Sequence, residues 1–434
     1  MKIIAIYYAM KELHFETLQV HAGHQNDPQT GACATPLYQT SSYAFKSSQH
    51  AVDLFNLEAP GHIYTRLSNP TVSVFEERIA ALEGGVAAVA TASGMAAQFL
   101  VFQALAVAGD NFVVCPSLYG GTFNQLKVTL PRIGIESRFV SGQTLEAYES
   151  LIDENTKGIY VETIGNSDYF IPDFDMLRTL CQRYSIPLIV DNTFAAGGYL
   201  CRPKELGANI IVHSATKWIG GHGNSIGGVV VDCGNFDWSS GRFPLFTEPS
   251  PAYKGLSFHE AFGSAALAVR LRAEGLRDYG ACLSPFNALM LLTGVETLSL
   301  RVDRICENAL ALALWLEEHP AVESVNYPGL PHNQNHAAAN KYLRNGYGGV
   351  LTFCLKGSLK QASKFVESLK MISFLANVGD NKSLITHPAS TTHSQLNEEA
   401  LAASGIAPTA LRFSLGIENV EDIKADIEQA LTKI

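Results

Sequence analysis

Several features that would point to a membrane, nucleic-acid or secreted protein are absent from this chain of 434 residues. It has no apolar run of about 18 residues, the length that a membrane-spanning helix needs, so we expect no membrane segment. It has no block of Lys and Arg and carries a net charge of −10, so no nucleic-acid partner is expected. Its eight cysteines are scattered without a C-x-x-C pair, which is typical of reduced thiols in a cytoplasmic protein.

The chain divides into three parts by composition. Residues 1–70 are predicted to be an N-terminal extension and arm, because 11–70 are polar and rich in turn residues. Within them, residues 1–9 are expected to be a dispensable extension, with Met10 as an alternative start. Residues 71–284 are predicted to form a large cofactor-binding domain, and 285–434 a smaller C-terminal α/β domain.

Short apolar runs alternate with helix-forming stretches through the predicted large domain. The strand candidates are 86–90, 111–115, 135–140, 158–162, 187–191, 209–213 and 228–231. This alternation predicts an α/β fold with a mostly parallel seven-stranded sheet covered by helices. Sheets of this kind bind ligands beyond the carboxyl ends of their strands. From residue 285 onward, long helices over 285–298 and 301–319 mark the smaller domain.

The segment His213–His222 combines a strand end, two hydroxyl groups, a lysine and a glycine turn. Pyridoxal 5′-phosphate (PLP) needs a lysine amine for its Schiff base and hydroxyl donors for its phosphate. Lys217 can supply the amine, and Ser214 and Thr216 can supply the donors. An isolated lysine beside a glycine turn is more often an ordinary surface residue, but the flanking pattern and three other segments favour a cofactor.

These three segments each lie where a predicted strand ends. Asp191 ends a strongly apolar strand, where a carboxylate can keep a pyridine nitrogen protonated or simply cap a helix. Ser93, Gly94 and Met95 open a helix, whose free N–H groups suit a phosphate. Tyr119 precedes a glycine pair and can stack on the pyridine ring, act as an acid or base, or pack in the core.

In this order, the segments resemble the Cys/Met-metabolism PLP-dependent enzymes, which include cystathionine γ-synthase, methionine γ-lyase and O-acetylhomoserine sulfhydrylase. The resemblance extends over about residues 13–434. It also rests on four further stretches, 63–71, 162–166, 382–390 and 411–418. It implies a PLP-dependent transferase fold of type I, PLP as cofactor and an amino acid as substrate.

The resemblance also implies roles for residues outside the lysine segment. Tyr64 and Arg66 are expected to clasp the phosphate from a neighbouring subunit, which makes a dimer the smallest active unit and a homotetramer the expected assembly. Asn166 is expected to contact the ring hydroxyl of the cofactor. Arg412, helped by Ser383, is expected to bind the substrate α-carboxylate, since a guanidinium fork grips a carboxylate through two N–H groups. Tyr64 and Asn166 are expected beside the substrate as well.

Details within the resemblance favour a sulfhydrylase closest to those of O-acetylhomoserine. Gly121 stands where methionine γ-lyases carry Cys, and Lys382 where enzymes that handle cystathionine carry Glu. The insert 232–258 and the stretch 376–380 point the same way. We therefore predict an O-acetylhomoserine aminocarboxypropyltransferase of methionine biosynthesis, in which sulfide or methanethiol replaces acetate and gives homocysteine or methionine. Lys217 is the expected base at Cα, and Tyr119 an acid or base near the leaving group.

Other interpretations stay open or are disfavoured. A γ-lyase, an O-succinylhomoserine or O-acetylserine sulfhydrylase, and a protein-bound sulfur donor all remain compatible with the pattern. A dinucleotide-binding oxidoreductase is disfavoured, because the glycines of 221–227 precede a strand rather than a helix. A non-catalytic relative is disfavoured because every expected cofactor ligand is present. No metal site is predicted, and His332 and His336 are read as a solvent-facing pair.

Overall fold

The computed structural model describes residues 13–391 and 407–434, and its strands form two sheets. The predicted extension, residues 1–9 with the alternative start at Met10, lies outside the described residues. Among the described residues, no helix is long and apolar enough to cross a membrane.

The larger sheet is the one predicted from the alternating pattern. Its strands are β1 (Ala87–Thr91), β2 (Asn111–Val114), β3 (Glu136–Phe139), β4 (Thr156–Glu162), β5 (Leu188–Asp191), β6 (Ile210–Ser214) and β7 (Gly228–Asp232). They lie in the order β1-β7-β6-β5-β4-β2-β3. Strands β6, β5, β4, β2 and β3 run parallel, while β7 is antiparallel to both neighbours. The predicted α/β class is confirmed: the inner strands β4, β5, β6 and β7 are mostly apolar and buried on both faces, as helix-covered strands must be, while the edge strand β3 is polar and partly exposed.

Helices cover the sheets and carry the connections between strands. The α-helices of the described residues are Phe15–His21, Ser48–Phe55, Pro70–Glu83, Gly94–Leu105, Gly120–Asn124, Leu145–Glu149, Phe174–Tyr184, Pro244–Thr247, Phe258–Phe262, Ala266–Arg270, Pro285–Val295, Leu298–Glu318, His336–Tyr342, Leu359–Ser368 and Val420–Leu431. The helix that Ser93, Gly94 and Met95 were predicted to open ends at Leu105, because Ala106 is already extended. The helix after Tyr119 is short and continues as a π-helical turn over Gln125–Thr129.

The smaller sheet lies in the C-terminal part of the chain. Its strands are β8 (Val322–Asn326), β9 (Val350–Leu355), β10 (Ser373–Phe374), β11 (Leu384–Thr386) and β12 (Ala410–Ser414). They are ordered β10-β11-β12-β9-β8 and are antiparallel except for the pair β10 and β11. The predicted domain boundaries after residues 70 and 284 stay a prediction.

Part of the predicted N-terminal arm is anchored on the body of the protein. The helix Phe15–His21 packs on Pro70–Glu83, and the amide of Gln19 exchanges two buried hydrogen bonds with Ser299, of 2.9 and 3.1 Å. The carbonyl of Ala22 accepts a bond of 2.9 Å from Arg78 Nε. This seven-residue helix was not expected, since two turns are too short for periodicity to reveal.

Candidate active site

A cavity of about 270 Å³ lies at the carboxyl ends of β4, β5 and β6. This is the edge of the sheet at which parallel strands place polar residues together. Ten of the residues predicted for the site line it: Ser93, Gly94, Met95, Tyr119, Asn166, Asp191, Ser214, Thr216, Lys217 and Arg412. Segments separated by more than a hundred positions in the chain therefore share one enclosed space.

Lys217 follows β6 and is partly buried in the cavity wall. Burial lowers the pKa of its amine below the ordinary value, and the positive charge of Arg412 lowers it further. The turn after Lys217 is held by the buried Arg301, which donates to the carbonyls of Trp218 (2.9 Å) and Ile219 (3.3 Å). The amine is thus fixed in place in surroundings that favour its neutral form.

The turn between β1 and the helix Gly94–Leu105 forms one end of the cavity. Ser93 caps the helix, and its Oγ accepts a bond of 3.2 Å from the N–H of Ala96. A Cβ on Gly94 would lie 2.7 Å from the Cβ of Ser214, so only glycine lets this helix start so close to Ser214. Helix N–H groups and neighbouring hydroxyls make a site for an anionic group. Thr216 also lines the cavity, and its Oγ1 accepts a bond of 3.1 Å from the N–H of Gly227.

Two carboxyl groups, Glu162 and Asp191, end neighbouring strands and lie side by side in register. Asp191 accepts a bond of 2.9 Å from the N–H of Thr193, and its other oxygen lies 3.5 Å from the hydroxyl of Tyr160. Burial raises the pKa of both carboxyl groups, and the negative charge of Asp191 adds to the rise at Glu162. A cation bound beside Asp191 would lower the pKa of both carboxyl groups again.

Glu162 joins the two loops that carry the other predicted ring contacts. Its Oε1 accepts a bond of 2.6 Å from the N–H of Tyr119, and its Oε2 one of 3.1 Å from the N–H of Asn166. The side chain of Asn166 in turn accepts a bond of 2.8 Å from Arg412. Glu162 was not among the predicted site residues, although it opens the stretch 162–166. The available signal was an acidic residue at the end of an apolar strand, the same signal that identified Asp191.

A buried network lies directly behind these strand ends. Glu83 Oε1 lies 2.6 Å from His213 Nε2 and accepts a bond of 2.7 Å from Asn192 Nδ2. Asn192 Oδ1 accepts a bond of 2.5 Å from the hydroxyl of Thr163. Thr163, Asn192 and His213 are direct chain neighbours of residues in the cavity wall. The network therefore ties the ends of β4, β5 and β6 to the helix Pro70–Glu83.

The structure does not bring Ser383 to the cavity. Its hydroxyl donates to Glu418 at 2.9 Å and accepts a bond of 3.0 Å from the N–H of Gly416. Its N–H also bonds Glu418, at 2.6 Å. With these bonds made, Ser383 holds the loop after β12, and its expected contact with the substrate carboxylate stays a prediction. The cavity wall instead contains Asn377, to which sequence analysis assigned no role.

Tyr64 and Arg66 also lie apart from Lys217 within one chain. They line a separate cavity of about 980 Å³ together with Arg272. The guanidinium of Arg66 lies 5.4 Å from the ring centroid of Tyr64, and the Tyr64 side chain is 44% exposed. A single chain therefore does not test the predicted clasp, which requires a neighbouring subunit.

The groups around the smaller cavity match PLP in number and chemistry. A helix N-terminus with Ser214 and Thr216 suits the phosphate, the buried Asp191 suits a protonated pyridine nitrogen, and Lys217 offers an amine to the aldehyde. The half-exposed ring of Tyr119 is available to stack on the pyridine. Because Gly94 has no side chain, this end of the cavity stays open for the phosphate of PLP.

Comparison with known proteins agrees with this match. O-acetyl-L-homoserine sulfhydrylase 1 of Thermus thermophilus is 54% identical over 420 residues, 96% of this chain and 100% of that protein. The homocysteine/cysteine synthase of Saccharomyces cerevisiae is 50% identical over 435 residues, 97% of this chain and 98% of that protein.

A solved structure from Campylobacter jejuni, described as an O-acetylhomoserine (thiol)-lyase, superposes with a TM-score of 0.92 at 38% identity. The match covers 97% of this chain and 100% of that one, which contains N′-pyridoxyl-lysine-5′-monophosphate. The fold is accordingly that of a PLP-dependent transferase of type I, as predicted. The family model described as Cys/Met metabolism PLP-dependent enzyme matches residues 16–432. This chain therefore belongs to the Cys/Met metabolism PLP-dependent enzymes.

Proposed function

We propose that this protein replaces the acetyl ester of O-acetyl-L-homoserine with sulfide and releases L-homocysteine and acetate. A C–S bond forms at Cγ as the C–O bond breaks, so the exchange involves no net oxidation. The observation that carries the proposal is that Lys217 and Arg412 line one cavity, which places a carboxylate-binding group beside the amine that carries the cofactor. The printed activities of the T. thermophilus and S. cerevisiae relatives support this choice of substrate.

Each residue has a separate task in this reaction. When bound, PLP withdraws electrons from the substrate carbons and so labilises the protons at Cα and Cβ. Asp191 stabilises the protonated pyridine nitrogen, and Arg412 holds the α-carboxylate through its N–H groups. The freed amine of Lys217 takes the α-proton, and its lowered pKa favours the neutral form that this step needs. Tyr119 lines the same cavity with a half-exposed ring, and we assign it the role of acid or base at the leaving group.

The proposal is tested by offering three substrates in parallel to the purified protein with PLP and sulfide. We expect homocysteine to form from O-acetyl-L-homoserine with a higher kcat/KM than from O-succinyl-L-homoserine, and O-acetyl-L-serine to react more slowly than either. The relative rates separate an acetyl from a succinyl preference, and methanethiol in place of sulfide tests the second nucleophile. O-acetyl-L-serine would give cysteine instead, and a failure to form homocysteine from O-acetyl-L-homoserine would contradict the proposal.

A γ-lyase remains the alternative within the family, and the packing around Gly121 bears on it. A Cβ at position 121 would lie 2.4 Å from Cε1 of Tyr119, so a cysteine there would require the ring to move. With glycine at position 121, the Tyr119 ring keeps its place in the cavity wall. The alternative predicts 2-oxobutanoate and ammonia from the amino acid without sulfide, and we expect this release to be slow compared with homocysteine formation.

We further propose that the active protein is at least a dimer, assembled as a homotetramer, in which Tyr64 and Arg66 complete the neighbouring site. Their distance from the cavity wall of their own chain supports this. Lys217→Ala and Arg66→Ala should each be inactive alone. Mixed and reassembled, they should regain about a quarter of wild-type activity, because half of the random dimers contain one intact site. No recovery would contradict a shared site. The cytoplasmic location stays a prediction.

A further inference from the structure

Asn377 is the cavity residue that contacts the amine of Lys217. It lies on the segment between β10 and β11, in the part of the chain that forms the smaller sheet. Its Oδ1 accepts a hydrogen bond from Lys217 Nζ, from 160 positions away in the sequence. No other hydrogen bond of this amine is found among the described residues, so Asn377 is the group that sets its direction.

The segment that carries Asn377 is locked onto the turn that carries Lys217. Gly379 has a φ of 75°, and a Cβ there would lie 2.7 Å from the backbone nitrogen of Trp218. Its N–H donates to Ser414 Oγ at 3.0 Å. The N–H of Asn381 donates to the carbonyl of Gly221 at 2.8 Å. The contact between Asn377 and Lys217 is therefore held from both sides.

We propose that Asn377 is a positioning residue that holds the amine of Lys217 whenever the substrate has released it from the cofactor. The inference rests on the proposed function, because it concerns the step in which this amine takes the α-proton. A carbonyl oxygen accepts one N–H of a neutral amine and leaves the lone pair free. It also carries no full charge, so it does not favour the ammonium form as a carboxylate would.

The pKa of Lys217 depends on the charges around it, so it matters that the side chain of Asn377 is uncharged. The titratable or charged side chains that share its cavity are Arg412 on β12, Asp191 on β5, Glu162 on β4 and Tyr119 after β2. Of these, Arg412 lowers the pKa of Lys217. A negative charge at position 377 would oppose that effect at hydrogen-bonding distance, where opposite charges shift a pKa by about 1–3 units.

The test measures proton exchange at Cα rather than homocysteine formation. The holoenzyme is incubated in D2O with L-2-aminobutanoate, which has no leaving group at Cγ, and loss of the Cα–H signal is followed by NMR. Because neither sulfide nor an ester takes part, failure of this experiment is distinguishable from failure of the proposed function. The variants are Asn377→Asp and Asn377→Ala. The matched control is Leu375→Ala, which removes a 44% exposed side chain from the same segment outside the cavity wall.

Asn377→Asp should move the pH of half-maximal exchange upward by about 1–3 units. The sign follows because the base must be neutral, and an amine with a raised pKa becomes neutral only at higher pH. Asn377→Ala should slow exchange about tenfold at its optimal pH, the loss of one hydrogen bond, with the KM of the amino acid unchanged. Leu375→Ala should behave as wild type.

A second measurement needs no turnover. In the full chain without PLP, the rate at which an amine-reactive acylating reagent modifies Lys217 is followed by mass spectrometry across pH, and its midpoint should rise in Asn377→Asp. If that variant does not accumulate in folded form, Asn377→Ser takes its place in the exchange assay. Its short neutral side chain should match Asn377→Ala. Unmoved midpoints in Asn377→Asp, or an exchange rate in Asn377→Ala and Asn377→Ser equal to that of wild type, would overturn the proposal. So would a raised KM with an unchanged exchange rate, which would place Asn377 on the substrate carboxylate instead.

Discussion

The two sides of the cavity come from two different sheets and differ in chemistry. The seven-stranded sheet contributes Asp191, Ser214 and Lys217 at the ends of adjacent strands, a set that suits a phosphorylated ring with a protonated nitrogen. The five-stranded sheet contributes Arg412 from β12, and the segment after β10 contributes Asn377. This second set suits a carboxylate and an amine. Because the two sets lie on different sheets, we expect that cofactor binding and substrate binding can be changed separately.

The largest expected effect lies on the side of the seven-stranded sheet. Lys217→Ala should abolish both turnover and the visible absorbance of the bound cofactor, because this change removes the amine that attaches PLP and moves the α-proton. Absorbance spectra and homocysteine assays check the two losses together. Full activity in this variant would remove Lys217 from the proposed mechanism.

Asp191→Asn should lower the catalytic rate without releasing the cofactor from Lys217. The visible absorbance should persist because Lys217 remains, while kcat falls roughly 30-fold to several thousand-fold, the cost of leaving a charged ring without its partner. Asp232→Asn is the matched control. Asp232 is another buried carboxyl of the same sheet, with a pKa raised by burial to about 6, but β7 runs antiparallel and places it at the opposite edge. It should lower stability and leave kcat unchanged, and equal loss of kcat in both variants would break the comparison.

Arg412→Ala should affect only the side of the five-stranded sheet. We expect the KM of the amino acid to rise by the equivalent of about 2–5 kcal/mol, because a buried carboxylate would lose its partner. The cofactor spectrum without substrate should stay as in wild type. Arg412→Lys should recover part of the loss, since a point charge replaces the fork. An unchanged KM in Arg412→Ala would show that another residue binds the carboxylate.

The smallest effect on activity is expected behind the strand ends. In Glu83→Gln the oxygen that contacts His213 and Asn192 is retained, but an amide replaces Oε2, which has no hydrogen-bond partner in the part of the chain that the structure describes. A buried NH2 without an acceptor should cost about 1–3 kcal/mol of the free energy of unfolding. Activity at 25 °C should change less than tenfold. Chemical denaturation checks the first expectation, and a loss of activity as large as that of Asp191→Asn would show that this network acts in catalysis.

The sequence predicted the larger sheet well, with every strand ending within two residues of its predicted bounds. Local rules suffice there, because buried parallel strands are apolar runs and the polar residues at their carboxyl ends meet at one edge. The same rule applied to Glu162 would have found it. The contacts of Asn377 and Ser383 could not be predicted from the sequence in this way, since both residues lie on loops whose positions depend on packing against distant segments.

What the sequence determined by itself was the chemistry offered at each strand end: a lysine after two hydroxyls, a carboxylate after an apolar run, a glycine at a helix start. These depend on neighbours in the chain. Only the tertiary structure decided which of these groups meet. The bond from Arg412 to Asn166 spans 246 positions and that from Lys217 to Asn377 spans 160. Pairings of this length arise where loops at the strand ends of the larger sheet meet residues of the smaller sheet and its loops, and no local pattern of apolar and polar residues encodes them.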